Sequence, residues 1–199
     1  MKNKADLGSL PRSKISIKNW FANTHFANKV ARVFFLTSLI AATSVLANPA
    51  VPILPKLALP TGGQVVAGNA TISQTQTATT ATMNVNQTSQ RAVVNWDSFN
   101  VGKNATVNFN QPNANAVTLN RVTGPSASVI DGAVKANGQV IFVNPNGVTF
   151  AKGSQVDAAG VVATTMNMAD KDFMEGKSTF KGNGTGAVIN EGKIKTNAD

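Results

Sequence analysis

The chain has 199 residues and a net charge of +9, with 18 Lys/Arg, nine Asp/Glu, one His and no Cys. That length suits one domain and a tail. Seven of the basic residues and one acid lie in residues 1–47, and no basic stripe of the kind that grips phosphates follows, so nucleic acid is excluded as a partner.

The first 47 residues read as an extended secretory signal peptide. A basic segment ends at Arg32, and "VFFLTSLIAATSVLA" (33–47) follows, apolar and uncharged. It is shorter than the ~20 residues of a membrane span. Small residues at Val45 and Ala47, followed by "NPAVP", predict cleavage between Ala47 and Asn48. The only His, His25, lies in this leader and marks no metal site. The absence of Cys suits a chain that must stay unfolded across an oxidising compartment.

Residues 48–60 contain Pro49, Pro52, Pro55 and Pro60, which remove donors and fix φ, so an extended Pro-rich arm is expected there. Residues 61–199 form the domain proper, where β-formers and turn residues dominate. Short strands are predicted at 82–87, 92–96, 105–110, 116–122, 127–130, 139–143 and 147–151, with period-two alternation and turn residues between them. The fold class is all-β.

A longer repeat underlies the alternation. "AVKANGQV" (133–140), "QVDAAGVV" (155–162) and "GKIKTNAD" (192–199) superpose, aligning Val134, Val156 and Ile194, and likewise Lys135, Asp157 and Lys195. One inward β-branched residue per coil is what a parallel β-helix requires, each coil burying its face on the next at ~4.8 Å. With coils of roughly twenty residues, the 22-residue offset reads as one coil and the 38-residue offset as two, so the domain would hold roughly seven. In such a fold "NPNG" (144–147) is a corner between "QVIFV" and "VTF". Pro145 presets a turn, Gly147 or Asn146 takes positive φ, and the Asn side chains bond nearby backbone.

The segment "NMADKDFMEGKSTFKG" (167–182) breaks the pattern. Asp170, Asp172 and Glu175 lack the spacing of a calcium loop. "GKST" (176–179) lacks the first Gly of a phosphate loop, since Lys171 stands in its place. A short helical excursion with Phe173 and Phe180 packing inward is expected. Catalysis has few candidates. Asp97, Asp131 and Asp157 are isolated in sequence, whereas glycoside chemistry needs carboxylates ~5–10 Å apart. No His or Tyr follows the leader. The reading is therefore not an enzyme, with no cofactor and no metal. Four Asn-X-Thr sequons, at Asn69, Asn86, Asn104 and Asn183, are what so much Asn and Thr produces by chance.

Three stretches, "QTSQRAVVNWDSFNVG" (87–102), "FNQPNANAVTLNRVTG" (109–124) and "ANGQVIFVNPNGVTFAKG" (136–153), resemble the N-terminal two-partner secretion domain (the haemagglutination activity domain) of filamentous-haemagglutinin-like exoproteins. The resemblance runs from about Pro60 onward. It implies a right-handed parallel β-helix with an N-terminal capping sheet, and export through the Sec translocon. It also implies recognition by an outer-membrane β-barrel transporter with POTRA domains, and release to the cell surface or medium of Gram-negative bacteria. The family's transporter-recognition motif maps onto Asn144, Pro145, Asn146 and Gly147, and a secondary motif onto Asn120 and Arg121. A separate Asn-Pro-Asn-Leu motif of some members is absent, "NQPNANAV" standing near its place. Members are far longer, so the domain is expected to be truncated at its C-terminus, with any binding to a host-cell surface residing downstream. Two other readings are an adhesin whose β-helix itself binds host glycan or protein, and a polysaccharide-acting enzyme. The first finds few aromatics to stack on sugars, and the second lacks acid clusters.

Overall fold

The computed structural model describes residues 54–196. The signal peptide, its cleavage point at Ala47 and Asn48, and the first part of the Pro-rich arm lie outside the described residues. Residues 54–60 contain a turn, with Ala58 N–H donating to Pro55 O, and no helix or strand.

The strands in chain order are β1 (Gln64–Ala67), β2 (Ala70–Gln76), β3 (Ala81–Gln87), β4 (Arg91–Trp96), β5 (Ala105–Asn110), β6 (Val117–Val122) and β7 (Ser128–Ile130). They continue as β8 (Ala133–Ala136), β9 (Gln139–Val143), β10 (Val148–Phe150), β11 (Gln155–Ala158) and β12 (Gly160–Thr164). A short helix α1 (Asp170–Met174) precedes β13 (Val188–Asn190) and β14 (Lys193–Thr196).

Three sheets run along one axis, in the orders β1-β4-β6-β9-β12, β13-β10-β7 and β14-β11-β8-β5-β3-β2. All neighbours are parallel except β1 on β4 and β2 on β3. The fold is thus a parallel β-helix whose first coil is capped by two antiparallel strands. Because each strand pairs with the equivalent strand of the next coil, a coil is stable only on its neighbour.

The predicted repeat is observed in register: Val134 pairs with Val156 and Val156 with Ile194, while Asp157 lies between Lys135 and Lys195. The coil count is corrected. Ala81 pairs with Ala105, Thr106 with Ala133, Ala133 with Gln155 and Gln155 with Lys193, steps of 24, 27, 22 and 38 residues. The longest step is one coil and not two. It contains the excursion around α1, which folds on itself and adds length without adding a rung. The helix has about four turns, not seven.

The interior is a column of one-per-coil residues. Val107, Val134 and Val156 stack from one sheet, and Val101, Ile130 and Phe150 from another. Phe99 lies at the centre, edge-on to Trp96 at 5.5 Å, stacked on Phe109 at 6.5 Å and tilted on Phe142 at 5.1 Å. Such pairs add ~0.5–1.5 kcal/mol beyond the area they bury.

A second apolar cluster lies on the outside of the five-stranded sheet. Val93, Val117, Leu119 and Val143 point outward there and are buried beneath Met168 and Phe173 of the excursion. The expected helical excursion is present, but Phe173 and Phe180 pack on this outer face and not inside the coils.

Candidate functional site

Asn144 follows β9, Pro145 and Asn146 form the turn, and Gly147 leads into β10. Gly147 N–H donates to Asn144 O at 3.0 Å and closes the β-turn. Pro at the second position, Asn at the first and third, and Gly at the fourth fit the preferences of a tight turn. Gly147 has φ +114°, a conformation that disfavours any residue with a side chain.

Asn144 is fully buried. Its Nδ2 donates to Ser126 O at 3.0 Å and to Ser128 Oγ at 2.9 Å, and its Oδ1 accepts from Asn146 N–H at 2.9 Å. Its own N–H donates to Thr164 O at 3.0 Å. One side chain therefore holds the corner of the previous coil, its own turn and the start of the excursion. Asn146 is exposed and donates to Gly124 O at 3.1 Å. Pro145 is exposed, and its carbonyl accepts from Gly186 N–H at 3.1 Å. A Cβ on Gly186 would stand 2.2 Å from Gly147 N, so the returning chain approaches this corner as closely as Gly allows.

The secondary motif adjoins the first. In the sheet Asn120 pairs with Phe142 and Arg121 with Val143, immediately before Asn144. Asn120 points into the core, 1% exposed, accepting from Trp96 Nε1 at 3.1 Å and donating to Ile141 O at 3.4 Å. A polar residue in that interior row is tolerated because the indole N–H and a carbonyl satisfy it. Arg121 points outward. Its Nε donates to Asn167 Oδ1 at 2.8 Å, Nη1 to Asn95 Oδ1 at 3.1 Å, and Nη2 to both Met168 O and Asp170 Oδ1 at 2.6 Å. The two motifs, 20 residues and more apart in sequence, thus form one junction with residues 164–170. Ser126, Ser128, Thr164, Asn167 and Asp170 belong to that junction and were not singled out by sequence reasoning. Only the acidity of Asp170 distinguished it beforehand.

The rejected chemistries have equally concrete outcomes. Gly176 ends α1 with φ +81°, and Lys177 pairs with Glu175 at 2.7 Å and Asp172 at 3.9 Å, so "GKST" is a charge-paired turn. Among the described residues no group of acidic or His side chains is placed to hold a metal ion. No helix among them is long and apolar enough to cross a membrane.

A capped parallel β-helix with this corner has counterparts among known proteins. The TPS secretion domain family matches residues 58–199. The chain belongs to that family. It is 39% identical over 144 residues to the heme/hemopexin-binding protein of Haemophilus influenzae strain Rd, a match spanning 68% of this chain and 15% of that protein. A second heme/hemopexin-binding protein of Haemophilus influenzae is 43% identical over 103 residues, 52% of this chain and 11% of that protein. The crystal structure of the HMW1 secretion domain from Haemophilus influenzae superposes with a TM-score of 0.59 at 31% identity, covering 68% of this chain and 36% of that one. The chain therefore spans only a small part of the length of these relatives. A TPS secretion domain serves secretion through a partner transporter in the outer membrane, and exoproteins carrying it reach the cell surface or the medium. These relatives are secretion domains and a haem-binding protein, not enzymes.

Proposed function

We propose that this domain is the export address of a larger exoprotein and has no enzymatic role. The Sec translocon delivers the chain to the periplasm, and the leader is cleaved between Ala47 and Asn48. The POTRA domains of an outer-membrane β-barrel transporter then capture the chain through Asn144, Pro145, Asn146 and Gly147, with Asn120 and Arg121 contributing. The coils form after passage, each on its predecessor. Adhesive or toxic activity resides in a region that follows this domain.

One observation carries the detail of this reading. In the folded corner the polar atoms of Asn144 are bonded within the domain, and Arg121 is committed to Asn95, Asn167, Met168 and Asp170. Buried groups satisfied in this way are not available to a second partner. The transporter and the folded corner therefore compete for the same side chains, and the captured form is the chain before the corner closes.

The test is binding of the isolated transporter's POTRA domains to the chain freshly diluted from urea and to the refolded chain. Binding by the first and not the second is expected, together with transporter-dependent appearance of the chain in the medium. Equal binding by the refolded chain overturns the competition. Export without the transporter overturns the address itself.

A further inference from the structure

The excursion differs from every other part of the domain in how it is held. Its backbone hydrogen bonds run within itself: Asn167 and Lys181 exchange N–H to O bonds at 2.8 and 2.7 Å, and Phe173, Glu175, Gly176 and Lys177 donate to Ala169, Lys171, Phe173 and Asp172. The coils, by contrast, are tied to each other by ladders. What joins the excursion to them between Thr164 and Gly186 is side-chain contact. Arg121 grips Asn167, Met168 O and Asp170, and the Arg91 guanidinium lies 5.1 Å over the Phe173 ring. Met168 and Phe173, each almost fully buried, cover Val93, Val117, Leu119 and Val143. The two ends are fixed to the coil corner, where Thr164 O accepts from Asn144 N–H and Gly186 N–H donates to Pro145 O.

We infer that residues 165–187 are a strap that closes last and opens first, hinged at Thr164 and Gly186, latched by Arg121, and covering an apolar docking face on the outside of the five-stranded sheet. Opening it breaks no ladder hydrogen bond between coils, so the β-helix stays stacked while the strap lifts. The cost of opening is the exposure of Phe173, Met168 and the four outward side chains beneath them. Local opening of this kind is the low end of the stability range within one domain. Arg121 is in this account a positioning residue: it holds the strap and not the coil on which it resides. The inference does not depend on the export reading, since the strap would behave in this way in any setting.

The experiment is hydrogen–deuterium exchange of the 199-residue chain and two variants, with binding of an apolar dye as a second readout. Phe173→Ala should speed exchange of the Asn167, Phe173, Glu175 and Lys181 amides about 100-fold, as the loss of a large buried ring implies. The ladder amides of β5 and β6 should be unchanged, and dye binding should rise. Asp170→Asn keeps an acceptor, removes the ion pair and is expected to fold. It should speed the same amides by roughly 3-fold, the size of a partly exposed pair. If either variant speeds the β5 and β6 amides together with the strap, strap and coils are one cooperative unit and the inference fails. If the strap amides do not change in either, these groups do not latch it and the inference fails as well.

Discussion

The two long sheets of this β-helix have the same kind of inner face and opposite outer faces. Outside the six-stranded sheet the rows are polar: Ser73, Asn84, Asn108, Lys135, Asp157 and Lys195 follow one another across the strands. Asn108 donates to Asn84 at 2.9 Å and Asn110 to Asn86 at 2.7 Å, each one coil apart. Outside the five-stranded sheet the corresponding row is Val93, Leu119, Ile141 and Val162. The first face meets water directly. The second needs a cover, and the chain supplies it with the strap. The burial patterns show the difference, alternating through β3 and β5 and nearly continuous through β4 and β6. A strand covered on both sides has no polar side to display.

The largest expected effect is the one that both sheets share. Phe99→Ala removes the ring that Trp96, Phe109 and Phe142 all touch. A loss of about 4 kcal/mol is expected, measured by urea unfolding. A loss below 1 kcal/mol would mean that the interior collapses to fill the space and that the aromatic column is not what joins the coils. The next effect separates the faces. Leu119→Ala, on the outside of the five-stranded sheet, should cost about 3 kcal/mol, because the strap makes that outside an interior. Asn108→Ala, on the outside of the six-stranded sheet, should cost about 0.5–1 kcal/mol, the net worth of one amide hydrogen bond. Equal losses in the two variants would contradict the contrast between the faces.

How much of this was legible in the sequence follows from the same contrast. β5 and β9 have the predicted boundaries, Ala105–Asn110 and Gln139–Val143, because the apolar side chains and turn residues that define them are local. The register of Val134, Val156 and Ile194 was legible because one residue per coil must point inward. β1 and β2 were not singled out. "ATISQTQ" is largely exposed and has weak alternation, and it becomes a strand by pairing with β3 along its whole length. The coil count failed because an excursion that folds on itself lengthens the step to 38 residues without a signal that distinguishes it from a further coil. The Asn-Pro-Asn-Gly turn was readable from turn chemistry alone. The convergence of Arg121 with Asn167 and Asp170 was not, since partners 46 and 49 residues away are chosen by stacking.

The smallest predicted effect tests whether the polar outer face contributes to register or merely faces water. Asp157 lies between Lys135 and Lys195 in adjacent strands, so charges alternate at ~4.8 Å intervals along the axis. Opposite charges directly across a strand pair are favourable, and like charges are not. Asp157→Lys would place three ammonium groups in one row. A modest fall in the urea midpoint is expected at low salt, and it should vanish in 1 M salt, where the Debye length is about 3 Å. The Val134, Val156 and Ile194 column beneath that row holds the register by burial, so the strands should keep their pairing even at low salt. A fall that persists in high salt would mean that Asp157 contributes through packing or specific hydrogen bonds and that its charge is incidental. No fall at all would mean that the inner column sets the register alone, and that the outer face of the six-stranded sheet is free to vary wherever it stays polar.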